Sequence, residues 1–158
     1  MVKFPYQSIL IVCSVNTARS RMAEGFLKNF FLNQNIEVMV KSGGISSNAR
    51  DGMLISMDAR LAMKEIGIIL SQSDLSTDIR KHPEFLKEAD LILTLTNQHK
   101  KEIHKFINMN KKQILTIKEF AGGEGDIKDP SMKELEGFRS ARNEIVESLT
   151  KGLNKYTF

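Results

Sequence analysis

Apolar and polar positions follow two rhythms along this chain. "SILIVC" (8–13) is an unbroken apolar run of strand length closed by polar residues, the pattern of a central strand buried on both faces. "SRMAEGFLKNFFL" (20–32) places Met22, Phe26, Leu27 and Phe30 at helical spacing. "NIEVMVKSGG" (35–44) predicts a second strand closed by two glycines. "SMDARLAMKEIGI" (56–68) predicts a helix that turns Leu61, Met63 and Ile66 to the core and stops at Gly67. "HPEFLKEA" (82–89) reads as a short helix, "DLILTL" (90–95) as a third buried strand, "NQHKKEIHKFINM" (97–109) as a helix and "KQILTI" (112–117) as a fourth strand. "EFAGGEGDIKDPS" (119–131) is a glycine-rich loop, and 132–156 form a long amphipathic helix.

Strands alternating with helices predict an α/β layered fold with a parallel sheet. No internal repeat or interdomain linker interrupts the pattern, so residues 1–158 are expected to form one domain, a length that fits a full-sized core. In such sheets ligands bind beyond the carboxyl ends of the strands. Cys13 and the loop "GGEGDIKDPS" are both expected at that end.

Composition narrows the chemistry. The chain is 41% hydrophobic and 27% charged, an ordinary globular balance. No apolar run approaches the roughly 20 residues that span a bilayer. "MVKFPYQ" lacks the apolar stretch of a secretory signal, so a cytoplasmic location and no membrane partner are expected. The single cysteine rules out an internal disulfide and a cysteine-only metal site, and three scattered histidines do little to restore one. No metal and no cofactor are expected. Net charge is +4, which suits an anionic ligand. The lysines are dispersed, aromatics are 7% and no stacking motif occurs, so nucleic acid is not an expected partner.

The one thiol stands where chemistry is cheapest to build. Cys13 ends the first strand, "SVNTA" loops over, and Arg19 and Ser20 open the helix. A helix N-terminus presents free N–H groups and the positive end of its dipole, a ready anion site. Arg19 adds a planar fork for two oxygens. A thiolate on the floor of such a cradle, with Ser20 able to donate to it, is a candidate nucleophile. A lone cysteine after "ILIV" is equally a small buried hydrophobe. Loop and strand context alone leave both readings open.

The longer motif decides between them. "CSVNTARSRMAEG" resembles the signature of the low-molecular-weight protein tyrosine phosphatases: cysteine, five residues, arginine, serine, then Met-Ala-Glu on the first helix. "KSGGI" resembles the family's Ser-x-Gly after the second strand, "ADLILTLTNQHK" its third strand and following turn, and "GDIKDP" its late Asp-Pro pair. The resemblance spans the chain in order. It implies a flavodoxin-like, three-layer αβα sandwich on a four-stranded parallel sheet, with a phosphate loop between strand 1 and helix 1.

It also implies roles. Cys13 attacks phosphorus to give a phosphocysteine, Arg19 holds the equatorial oxygens, and Asp129 protonates the leaving group and then activates water. Ser14, Val15, Asn16, Thr17, Ala18 and Ser20 line the substrate cradle, and Ser20 supports the thiolate. Asn16 braces the loop. Ser42 either supports Asn16 or is an ordinary strand-end serine, and Pro130 aims Asp129. The partner is a phosphorylated protein and the product inorganic phosphate. Asp126 is read as solvated loop, and His99 and His104 as surface residues.

Several positions depart from the family. Val15 stands where glycine is usual, and a β-branched residue resists unusual φ. Ala18 replaces a frequent second cysteine, so oxidised Cys13 has no neighbouring thiol. Arg21 replaces proline, adding charge near the cradle or pointing to solvent. Ser131 and Met132 replace aromatics that stack on tyrosine. Thr17 matches the protein arginine phosphatase branch, as do "TNQHK" and "TIKEF". Phosphoarginine is therefore the favoured substrate class and phosphotyrosine the alternative. An arsenate reductase would need further cysteines, and an inactive phosphate-binding module sits poorly with an intact Cys13, Arg19, Ser20 and Asp129.

Overall fold

A computed structural model describes residues 1–107 and 113–158. A four-stranded parallel sheet forms the middle layer: β2 (Ser8–Cys13), β3 (Met39–Gly44), β4 (Leu91–Thr94) and β5 (Gln113–Thr116), in the order β3-β2-β4-β5. A short parallel pair, β1 (Val2–Lys3) with β6 (Tyr156–Thr157), fastens the two chain ends beside an aromatic cluster centred on Phe4.

Side chains alternate across β2, and this builds the layers. Ile9, Ile11 and Cys13 face one side, and Leu10 and Val12 the other. The first side is covered by α1 (Arg19–Asn33), α2 (Met57–Lys64) and α6 (Glu134–Leu153), through Met22, Leu27, Met63, Phe138, Ile145 and Leu149. The second is covered by Ile79 in a 3₁₀ turn (Ile79–Lys81), Leu86 of α3 (Pro83–Glu88) and Ile103 of α4 (Asn97–Ile103). The continuous apolar runs of β2 and β4 are thus accounted for, because both faces are dry. The result is the three-layer αβα sandwich that the resemblance implied.

Several element predictions need correction. β3 begins at Met39, not Asn35: Asn35 has φ +54 in the turn after α1, and pairing starts where Met39 meets Ser8. α2 ends at Lys64, so Ile66 lies beyond it, and Leu61 and Ile66 are exposed. The buried stripe of α2 is Ala59, Ala62 and Met63. Gly67 does turn the chain, at φ +80. α4 ends at Ile103, and the predicted positions 108 and 109 lie outside the described residues, as does 112 of the fourth strand. Glu119 and Phe120 belong not to the glycine-rich loop but to α5 (Ile117–Phe120), started by a Thr116–Glu119 capping box.

The strand order sets a switch point at β2. From Cys13 one neighbour, β3, leads away on one side and β4 on the other, the place where such sheets open a crevice.

Candidate active site

The loop 14–18 turns over the carboxyl end of β2 and delivers the chain into α1. Helix α1 has Ala18 as N-cap with no capping side chain and no acidic residue in its first turn. Its leading N–H groups are therefore left for another acceptor, and its dipole favours an anion there.

Cys13 is buried, and two donors converge on it. Ser20 Oγ lies 2.8 Å from its Sγ, and the Asn16 backbone N–H donates to the same sulfur at 3.2 Å. The Ser20 oxygen itself accepts from Asn16 Nδ2 at 2.7 Å, which leaves the Ser20 hydrogen free for sulfur. The sulfur is thus met by two groups able to donate to it, a setting that suits a nucleophile.

Asn16 is the hub of this arrangement. It is fully buried at φ +65, a backbone region that asparagine tolerates better than most residues. Its Nδ2 donates to Ser20 and, at 2.9 Å, to Ser42 Oγ, while its Oδ1 accepts the Thr77 N–H at 2.9 Å. Every polar atom of the amide is used, so its orientation is fixed. Ser42 passes its own hydrogen to Glu24, whose buried carboxylate also receives Arg21 Nη1 (3.2 Å) and Lys28 Nζ (2.6 Å). Of the two readings of Ser42, the geometry matches the brace.

Residues just past β3 and the N-cap of α2 support the loop. Ile45 and Ser46 N–H groups donate to the carbonyls of Cys13 and Ser14, and Ser56 N–H to that of Thr17. A Cβ on Gly44 would stand 2.7 Å from the Ser14 carbonyl oxygen and 2.9 Å from Val15 Cα, so only glycine fits. Val15 does not adopt positive φ; among the described loop residues that strain falls on Asn16. The conflict expected of a β-branched residue there does not arise.

Arg19 is also buried, and among the described residues no carboxylate pairs with it. Its Nη1 donates to the Ile127 carbonyl at 2.7 Å, which ties the late loop to the cradle. Two residues on, exposed Asp129 accepts the Ser131 N–H at 3.0 Å, beside buried Pro130. Through Arg19, and through the Ile127 N–H that donates to the Leu95 carbonyl, the late loop is held at the carboxyl edge of the sheet, where β2 ends in Cys13.

Three expectations fail here. Asp126 is exposed but not merely solvated: it accepts the Asn97 N–H at the start of α4 (2.8 Å). Arg21 neither points to solvent nor serves the cradle; it binds Glu24 and the Leu75 carbonyl. His99 is not a surface residue. It is 3% exposed, with Nε2 2.8 Å from Ser14 Oγ. Burial, reinforced by nearby Arg19, pushes its pKa down to about 4, so its imidazole is neutral at neutral pH. The signal that could have found it is positional: His99 is three residues past the cap Thr96, at the same sheet edge as Cys13. His104 is exposed as expected.

The low molecular weight phosphotyrosine protein phosphatase family matches residues 8–156. The chain belongs to this family. Within it, the protein-arginine-phosphatase of Geobacillus stearothermophilus is 37% identical over 142 residues, covering 89% of each chain. That of Bacillus subtilis (strain 168) is 30% identical over 142 residues, covering 89% of this chain and 91% of the relative. Among solved structures, a low-molecular-weight protein tyrosine phosphatase from T. tengcongensis superposes with TM-score 0.84 at 32% identity, covering 94% of this chain and 99% of the other. The YwlE arginine phosphatase, in a cysteine-to-serine mutant with a phosphorylated active-site serine, gives TM-score 0.83 at 29% identity and 94% coverage of both chains. This phosphatase is therefore a hydrolase of a family that includes protein-arginine-phosphatases and protein-tyrosine-phosphatases.

Proposed function

We propose that residues 1–158 act as one cytoplasmic phosphatase domain that removes phosphate from arginine side chains of proteins through a phosphocysteine intermediate. The observation that carries the chemistry is buried Arg19, without a carboxylate partner among the described residues, set beside a helix N-terminus with no capping side chain and a doubly hydrogen-bonded Cys13. A buried cation is costly without an opposite charge, and a phosphoryl dianion supplies it.

In this reading Cys13 Sγ attacks phosphorus while Arg19 and the loop N–H groups other than that of Asn16 hold the three outer oxygens, more tightly as charge builds. Asp129, in its protonated form, donates to the departing guanidine nitrogen, so the P–N bond breaks as the S–P bond forms. The resulting carboxylate then takes a proton from water, which displaces Cys13 and releases inorganic phosphate. Ser20 and the Asn16 N–H receive the thiolate as it leaves. Ser14, Val15, Asn16, Thr17 and Ala18 form the cradle, Ser42 braces Asn16 and Pro130 orients Asp129. No metal or cofactor enters these steps.

Thr17 supports arginine over tyrosine. It stands in the cradle between Asn16 and Ala18, where its hydroxyl can contact the reacting centre. The two positions directly after Pro130 are Ser131 and Met132 rather than aromatics, and Met132 is 93% exposed. The two arginine-phosphatase relatives point the same way. The tyrosine reading keeps one specific support, the tyrosine phosphatases among the relatives. Wild type and Thr17→Ile, assayed on a phosphoarginine and a phosphotyrosine peptide with Cys13→Ser as blank, separate the two. Preference for phosphoarginine that moves toward phosphotyrosine in Thr17→Ile is expected. A wild type that prefers phosphotyrosine overturns the arginine assignment.

A further inference from the structure

Beside the cradle lies a buried titratable group with no part in the steps above. His99 enters from the first turn of α4, which is held at the sheet edge because Leu95 N–H donates to the Val12 carbonyl and Thr96 caps the helix by accepting the His99 N–H. Its Nε2 meets Ser14 Oγ, whereas its Nδ1 is buried and has no hydrogen-bond partner among the described residues. That asymmetry selects a tautomer. With the hydrogen on Nε2, the unpaired atom is a bare lone pair; with it on Nδ1, the unpaired group is a buried N–H donor, the rarer and costlier case. A proton on both would add a buried charge that nearby Arg19 disfavours and that Asp126 and Asp129 only partly compensate.

We propose that His99 is a positioning residue of this phosphatase: its neutral imidazole donates from Nε2 to Ser14 and fixes the first residue of the cradle. Ser14 is then clamped on two sides. Its carbonyl receives Ser46 N–H above Gly44, and its side chain receives His99. Ser14 directly follows Cys13, so a tilt there misaims both the nucleophile and the N–H groups that meet the phosphoryl oxygens. Staying uncharged, His99 does this without placing a second cation beside Arg19.

The proposal rests on Cys13 being the nucleophile of an anion cradle, and the test separates the two. Iodoacetate alkylation of Cys13, with and without inorganic phosphate as protectant, is measured together with kcat and KM for wild type, His99→Leu, His99→Gln, Ser14→Ala and the Leu/Ala double variant. His99→Leu keeps volume but removes the donor; Gln restores a donor near the Nε2 position. Expected is a fall of about tenfold in kcat and in phosphate protection for His99→Leu, with Gln recovering most of both. Ser14→Ala should lose about as much, and the double variant no more than either single one. Ser14→Ala carries the test if His99→Leu fails to fold. Single losses that multiply in the double variant, or a His99→Leu enzyme with wild-type kcat and protection, overturn the positioning role. Wild-type Cys13 that phosphate does not protect overturns the cradle reading itself.

Discussion

Replacing Asn16 separates what its side chain holds from what its backbone costs. Asn16→Ala deletes three side-chain hydrogen bonds, to Ser20, Ser42 and the Thr77 N–H, all at a fully buried position. At about 1 kcal/mol each they amount to about 3 kcal/mol. Alanine must also hold φ +65, which costs about 1 kcal/mol that asparagine largely avoids. The sum, about 4 kcal/mol, is a large share of an ordinary domain's stability. Asn16→Gly loses the same hydrogen bonds but not the φ penalty, so it should be about 1 kcal/mol more stable than Asn16→Ala. Both variants release Ser20, so the Cys13 sulfur loses its oriented hydroxyl equally in each. Urea unfolding reads the first effect, and the rate of Cys13 alkylation by iodoacetate at fixed pH reads the second. The expected pattern is split stabilities with a common slowing of alkylation. Equal stability of the two variants, or alkylation as fast as in wild type, would refute this division of labour.

Three further outcomes follow from the same structure. His99 binds its proton only near pH 4 when folded but near 6.5 when unfolded, so the unfolded chain takes up protons first and stability falls as pH drops between those values. The His99 share of this loss should reach about 3 kcal/mol by pH 4 and be missing in His99→Gln, which keeps only the loss near pH 4 from carboxylates held low by their partners, Glu65, Asp51, Asp78 and Glu119; His82, whose pKa is raised by its hydrogen bond to Asp51, is already fully engaged below 6.5 and does not mask it. Unfolding at pH 7, 5.5 and 4 checks this, and a flat wild type contradicts it. Gly44→Ala forces a Cβ against backbone of Ser14 and Val15, so the loop itself must move: kcat should fall at least tenfold for about 1–3 kcal/mol of stability, and an unaffected kcat would mean that the loop adapts. Oxidation of Cys13 has no second thiol to arrest it, so excess peroxide should drive it to sulfinic acid with activity that dithiothreitol cannot restore; full recovery would contradict this.

The sequence was most legible where one physical cause dominated. The apolar runs Ile9–Val12 of β2 and Leu91–Leu93 of β4 were legible because both faces of these strands are covered. The cradle was legible because its residues are consecutive, from Cys13 to Ser20. Helix α2 misled because its buried stripe runs through Ala59 and Ala62, whose small side chains carry little hydrophobic signal beside the larger but exposed Leu61 and Ile66. The supports of the cradle were least legible. Asn16 Oδ1 is met by a backbone N–H sixty-one residues away, and a backbone donor leaves no trace in residue type. His99 reaches Ser14 across eighty-five residues, and only the parallel register of β2 with β4 brings them together. Arg21 sits next to catalytic-type residues in sequence, yet the helical turn directs it to Glu24 and Leu75 instead.

The central claim is that Cys13 carries the phosphoryl group of an arginine substrate. If Asp129 acts as proposed, Asp129→Ala should slow the water step as well as leaving-group protonation, so mixing this variant with a phosphoarginine peptide and quenching in acid within the first turnover gives the most direct view. Mass spectrometry of the digest should find one phosphoryl group on the peptide containing Cys13, absent from Cys13→Ser/Asp129→Ala treated alike. Phosphoryl transfer to any other residue, or to Cys13 from a phosphotyrosine peptide but not from phosphoarginine, would contradict it.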